Sequence, residues 1–185
     1  FGRNRTATIE DLIHFGAVHG FEVEQISAEE INEITISSTK IREALHRGKI
    51  KIANDYLGYN YTLNGTVVQG QQIGRTIGFP TANIAIETSE KLIPCNGVYI
   101  AFAHTDKKKY QGVMNIGNRP TVNGQSQSIE IHLFDFNTSI YGEKITLELI
   151  EYIRPEQKFE DLNALKLQIA KDKQIAADYF LDAQS

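Results

Sequence analysis

The segment GRTIGFPTANI, residues 74–84, gathers Gly74, Arg75, Gly78, Pro80, Thr81 and Asn83 into one short stretch. Backbone N–H groups approach phosphate oxygens only where side chains are absent, so Gly74 and Gly78 suit a phosphate loop. Arg75 adds a guanidinium whose fork matches phosphate. Pro80 fixes the backbone before Thr81. The Thr81 hydroxyl and the Asn83 amide oxygen are hard donors of the kind Mg2+ takes alongside substrate phosphates. The segment has neither the Gly-Lys-Ser/Thr of a Walker loop nor the spacing of a dinucleotide fingerprint. On residue types alone, a glycine-rich hairpin loop stopped by a proline is the simpler account.

QSIEIHLFDF, residues 127–136, is the second stretch with chemistry in it. Strand alternation puts Ile129, Ile131 and Leu133 on one face and Glu130, His132 and Phe134 on the other. A mid-strand carboxylate faces solvent or lines a pocket; in a pocket Glu130 can take a proton from a hydroxyl nucleophile. His132 reads as a partner or packing residue, since no second His or Cys stands at ligand spacing. NIGNRPT, residues 115–121, with Arg119 before Pro120, reads as a flap beside a site or, more simply, as a tight polar turn. In EYIRPEQKF, Arg154 stands where a strand meets a helix, either orienting a substrate or pairing with Glu156 or Asp161. ISSTKIR sets Ser37, Ser38, Thr39, Lys40 and Arg42 around a helix start, which is a phosphate site or an ordinary serine cap. FGRNR adds Arg3 and Arg5.

The elements that must position these residues change character along the chain. Thr8 and Asp11 form a near capping box for a helix that stops at Gly20. Residues 21–26 read as a strand. STKIREALHRG reads as a short helix capped by Ser38 and ended by Gly48, and KIKIANDYLG as another ended by Gly58. From about residue 59 the apolar period becomes two. YTLNGTVVQ, ANIAIE, GVYIAFAHT, KYQGVMNI, QSIEIHLFDF and KITLELIEYI are the expected strands. Turns are expected over 70–80, 94–97, 105–109, 118–127 and 137–142, which predicts a closed antiparallel barrel. Pro155 ends the last strand, and a helix over 156–181 follows, with Phe159, Leu162, Leu165, Ile169, Ala176 and Tyr179 near one stripe.

Composition bounds the classes open to such a chain. Its 185 residues are 41% hydrophobic and 23% charged, enough for a sizeable core and no sign of disorder. The net charge of −4 gives no global pull toward nucleic acid or anionic membrane. Cys95 is the one cysteine, which excludes an internal disulfide and fits the reducing cytoplasm. No apolar run reaches membrane-spanning length. The chain opens on Phe1, so the expectation is a fragment with its natural N-terminal part elsewhere.

Taken in order, GRTIGFPTANI, KLIPCNGVYI, NIGNRPTV, SIEIHLFDF, IYGEKI and YIRPEQKF resemble the kinase domain of the bacterial bifunctional riboflavin kinase/FAD synthetase family, over residues 59–185. FGRNR and ISSTKIR resemble the end of that family's FMN adenylyltransferase module, over residues 1–58. The resemblance implies a mainly β fold: a six-stranded antiparallel Greek-key barrel with a C-terminal helix, preceded by an α/β fragment of a nucleotidyltransferase domain. It implies ATP- and Mg2+-dependent phosphorylation of the riboflavin ribityl 5′-hydroxyl, giving FMN and ADP. In that picture Gly74, Arg75, Gly78 and Pro80 embrace the ATP phosphates, and Thr81 and Asn83 hold the metal. Glu130 is the base and Arg154 contacts the flavin. Ser37, Ser38, Thr39 and Arg42 would contact ATP phosphates in an intact adenylyltransferase. That module's H-x-G-H motif is nowhere in the 185 residues, and Ala7 replaces a motif glycine, so FMN but not FAD is the expected product. Two other readings are a non-catalytic flavin- or nucleotide-binding barrel and an oligonucleotide-binding barrel. The second calls for a basic face with interleaved aromatics, which the strands lack.

Overall fold

The structure is a computed structural model that describes residues 8–24, 30–31, 34–70, 72–106, 108–121 and 124–183. The FGRNR segment, Ala7 and residues 25–26 of the expected strand lie outside these, as do the side chains of residues 119–126. The chain divides into two units, residues 1–36 and 37–185.

In the first unit, helix α1 (Ile9–His19) begins with a true capping box. Thr8 Oγ1 accepts from the Asp11 N–H, and the Asp11 carboxylate accepts from the Thr8 N–H at 2.7 Å. Gly20 ends the helix in the left-handed region at φ 74°. Residues 21–24 form no strand among the described residues. Two short antiparallel strands follow, β1 (Glu30–Ile31) and β2 (Ile34–Thr35).

The second unit opens with helices α2 (Ser38–His46) and α3 (Ile50–Leu57). The cap of α2 is Ser37 rather than Ser38: Ser37 has extended backbone, and its hydroxyl accepts from the Lys40 N–H. Ala44, Leu45, Ile50 and Ala53 join the main core. Asn54, 8% exposed, accepts from the Tyr61 N–H at 2.8 Å and donates to the Leu149 carbonyl at 3.0 Å. These helices therefore belong with the barrel by contact, although the apolar period changes only at residue 59.

The six expected strands all form: β3 (Thr62–Val68), β4 (Ala82–Ile86), β5 (Gly97–His104), β6 (Lys109–Thr121), β7 (Gly124–Leu133) and β8 (Lys144–Arg154). They close in the order β3-β4-β7-β6-β5-β8, every pair antiparallel, so that two connections skip neighbours in the Greek-key manner. Residues 118–127 are not a loose turn. β6 and β7 pair out to Thr121↔Gly124, making a hairpin longer than the sequence signals. Pro120 is tolerated near the hairpin's end, where strands lie at a sheet's margin.

Alternate residues fill the barrel, among them Leu63, Tyr99, Ala101, Met114, Ile131 and Leu147. A second apolar cluster lies outside it, where Ile100, Ile150, Phe102, Val113 and Phe134 pack against Ala176 and Phe180. Those last two belong to helix α5 (Leu162–Asp182), capped by Asp161. The helix starts later than expected and leaves Phe159 outside it. Leu162 of the expected stripe is 57% exposed, while Phe180 is buried in its stead.

Candidate active site

The strand register draws the candidate residues together. Glu130 on β7 pairs with Asn83 on β4 on one side and with Asn115 on β6 on the other. Asn115 pairs with Val98 of β5, and Val98 with Arg154 of β8. Paired residues share a face, so one row carries Asn83, Glu130, Asn115 and Val98, and a register shift between Val98 and Tyr99 brings Arg154 beside it, on the outer side where Arg154 meets Asp172 of α5. The row faces outward, because Val98 lies two residues from Ile100 of the outer cluster.

Thr81 immediately precedes β4, and its hydroxyl donates to Glu130 Oε2 at 2.9 Å. One residue earlier, the Pro80 carbonyl oxygen lies 2.8 Å from His132 Nδ1. The His132 ring packs edge-on against Phe79, with centroids 5.6 Å apart. Burial pushes the His132 pKa down, the Pro80 bond opposes this, and the Lys173 charge adds to the lowering. The net direction favours the neutral imidazole.

Two cavities meet at Thr81. The first, about 470 Å³, is lined by Gln72, Arg75, Pro80, Thr81 and the 136–141 loop. The second, about 320 Å³, is lined by Thr81, Asn115, Glu130, Arg154, Phe159 and Lys173, among others. Glu130 thus lines a pocket rather than an open outer face.

The glycine-rich segment is more self-contained than its composition implies. It holds a four-residue helix, α4 (Ile73–Thr76). The N–H groups of Arg75, Ile77, Gly78 and Phe79 are donated to Gln72, Gly74 and Arg75 carbonyls inside the segment. A Cβ on Gly70 would lie 2.1 Å from the Asn83 amide nitrogen, so this glycine makes room for Asn83. Gly78 adopts φ 89°, which an L side chain strains to reach.

Arg154 pairs with neither Glu156 nor Asp161. Its Nε and Nη2 donate to the Asp172 carboxylate at 2.9 and 2.7 Å, and Nη1 donates to the Pro155 carbonyl. Asp172 is 2% exposed and also accepts from Gln168. Ser37, Ser38, Thr39 and Arg42 surround the start of α2 and line neither cavity. The sequence expectations name neither Asn115 nor Asp172 as a site residue: Asn115 opens the NIGNRPT stretch but stands out only through its register with Glu130, and Asp172 only through α5 packing. Among the described residues, no group of three His, Cys, Asp or Glu side chains could hold a metal ion. The oxygen donors of Thr81 and Asn83 remain a chemically fitting set for a hard cation that borrows phosphate ligands.

The family model Flavokinase, described as riboflavin kinase, matches residues 57–180. The chain belongs to the riboflavin kinase family. Its relatives include the bifunctional riboflavin kinase/FMN adenylyltransferase of Haemophilus influenzae, 40% identical over 97% of this chain and 58% of that protein. The Bacillus subtilis protein of the same name is 45% identical over 78% of this chain and 46% of its own length. The chain therefore spans about half the length of these relatives. A solved structure from Streptococcus pneumoniae, named a macrolide-efflux protein, superposes with TM-score 0.84 and 33% identity over 96% of this chain and 57% of that one. That name stays with that protein. Among the described residues, no helix is long and apolar enough to cross a membrane. The riboflavin kinase family match, residues 57–180, takes in the barrel and most of α5, and a non-catalytic binding barrel is not favoured.

Proposed function

We propose that residues 59–185 transfer the γ-phosphoryl group of ATP to the riboflavin 5′-hydroxyl with Mg2+ present, and that Thr81 and Glu130 stand at the reaction's centre. The observation that carries this is the 2.9 Å bond between their side chains at the seam of two cavities. The cavity with Gln72 and Arg75 suits a nucleotide, since Arg75 can fork onto phosphate. The cavity with Phe79, Phe159 and Arg154 suits a flat flavin with a polar edge.

Glu130 accepts the ribityl hydroxyl proton as the oxygen attacks the γ-phosphorus. The bond from that phosphorus to the bridging β,γ oxygen breaks, and ADP leaves. Phosphoryl transfer asks mainly for positioning and charge neutralisation, which one base and a cation-binding turn supply. Thr81 and Asn83 would hold Mg2+, whose chemistry here is to neutralise phosphate charge. Gly74, Gly78 and Pro80 shape the turn, and Arg154 meets the flavin while Asp172 holds it in place. The N–H groups of the glycine-rich segment reach phosphate only if their internal bonds open.

Residues 1–58 read as the end of an FMN adenylyltransferase module, with Ser37, Ser38, Thr39 and Arg42 serving ATP in the longer protein. Without an H-x-G-H segment in its 185 residues, this chain alone converts no FMN to FAD. The single cysteine, Cys95, fits a reducing, cytoplasmic setting. The test is incubation with riboflavin, ATP and Mg2+ and separation of the flavins, beside Glu130→Ala. FMN from the parent chain, reduced about 10²–10⁴-fold in the variant, is expected for loss of a general base. Equal FMN from both would remove Glu130 from the role.

A further inference from the structure

His132 is a buried residue whose chemistry the phosphoryl transfer does not use. It lies two positions beyond Glu130 on the same face of β7 and is 8% exposed. Its Nδ1 meets the Pro80 carbonyl oxygen at 2.8 Å. A carbonyl can only accept, so Nδ1 carries the proton, and in the neutral ring Nε2 is then a bare acceptor. Among the described residues, Nε2 is the buried side-chain nitrogen or oxygen with no hydrogen-bond partner. A phenylalanine would fill the same space, between Phe79 and Phe134, without that unmade bond. The feature an imidazole adds here is the Nδ1 donor.

The position of that donor matters. The β4–β7 ladder begins at Ala82↔Ile131, so Pro80 and Thr81 lie just beyond its end. Two side-chain bonds take over from the ladder, His132 to Pro80 and Thr81 to Glu130. Both tie one turn to one strand face.

We propose that His132 is a positioning residue: its Nδ1–H fixes the Pro80–Thr81 peptide so that the Thr81 hydroxyl meets Glu130. The proposal rests on the roles assigned above to Thr81 and Glu130. The experiment compares His132→Phe, which keeps the volume and lacks the donor, with His132→Asn, whose amide N–H can stand where Nδ1–H stands. His132→Gln, whose donor reaches farther out, replaces the phenylalanine variant if that does not fold. Two quantities are read: kcat and KM for riboflavin with Mg2+ and ATP, and amide exchange over residues 79–83 in metal-free protein. Loss of the donor is expected to lower kcat about 10- to 100-fold with little change in KM, in line with a small misplacement of a reacting group. Exchange over 79–83 is expected to rise, and asparagine to restore both quantities in large part. Exchange at the parent level in His132→Phe, or asparagine no better than phenylalanine, overturns the proposal. Glu130→Gln run alongside separates the two ideas. Full activity in that variant removes the catalytic reading, whereas donor-dependent exchange over 79–83 still supports the latch.

Discussion

Replacing Asp172 with alanine would test how α5 is held to the site. The carboxylate is 2% exposed and accepts bonds from two guanidinium nitrogens of Arg154, whose side chain is 17% exposed. It also accepts from Gln168 at 2.9 Å. Removing one partner of a buried pair typically costs about 3–5 kcal/mol, because the other charge stays behind without compensation. Arg154 retains some access to water and its bond to the Pro155 carbonyl, so the lower end, about 3 kcal/mol, is the expected loss. For a domain of this size that is a fall in Tm of roughly 6–12 °C. Thermal melts and urea titrations of Asp172→Ala measure it. Asp172→Asn keeps an acceptor and should lose less. The double variant Arg154→Met/Asp172→Leu should return to within about 1–2 kcal/mol of the parent, since a well-packed apolar pair replaces a buried ionic one at little cost. That double variant should still bind riboflavin poorly, because the guanidinium proposed to meet the flavin is gone. A fall of less than about 2 °C for Asp172→Ala would put the pair in the class of exposed salt bridges and refute the reasoning.

Two further outcomes follow from the geometry. Gly70→Ala should displace the Asn83 amide, which lies 2.1 Å from where the new methyl carbon would stand, and so raise the Mg2+ concentration needed for half-maximal FMN formation. An unchanged Mg2+ titration would remove Asn83 from the proposed metal set. Glu148 governs an acid limb of stability. Burial pushes its carboxyl up, but hydrogen bonds from Asn60, His104 and Lys109, with the Lys109 charge, outweigh that and hold the pKa below its usual 4.5. Its stabilising effect is therefore complete above that value and is lost as pH falls through the lower folded-state value. Melts of Glu148→Gln between pH 6 and 3 should show a flatter decline in Tm than the parent, and parallel curves would contradict this.

Local signals were read most faithfully where one residue decides the backbone. Thr8 with Asp11 specified a helix start, and Gly20 and Gly58 specified left-handed stops at φ 74°. Period-two alternation located all six strands, because each buries one face in the barrel. The expected cap of α2 was Ser38 and the structure has Ser37, since both hydroxyls are competent and only the backbone angle chooses. The reach of the β6–β7 hairpin was hidden because Asn118 and Pro120 are turn formers, which pairing with β7 overrides. Phe159 looked helical by spacing, but Asp161 provides the cap two residues later. At the proposed site, Thr81, Asn83 and Glu130 stood out through the family motifs that carry them, whereas residue type alone left a plain loop and an outer strand face as the simpler account. Asp172 did not: it is one acid on a helix with several, and what sets it apart is the arginine that tertiary packing brings to it.

The dependence of this site on register makes fold and chemistry inseparable here. Asn83, Glu130 and Asn115 come from three strands and share one outward row, with Arg154 beside it, only because each pairing is in its observed register. Side chains alternate between faces with period two, so a slip of one residue between β4 and β7 would turn Glu130 out of line with Asn83. The same slip would move Ile129, Ile131 and Leu133 out of the core, where they are at most 6% exposed. Apolar burial therefore enforces the register that aligns the carboxylate with the Thr81 turn. The barrel's stability secures the row from beneath. The turn just beyond the ladder lies outside that pairing, and the Thr81–Glu130 and His132–Pro80 bonds tie it to β7.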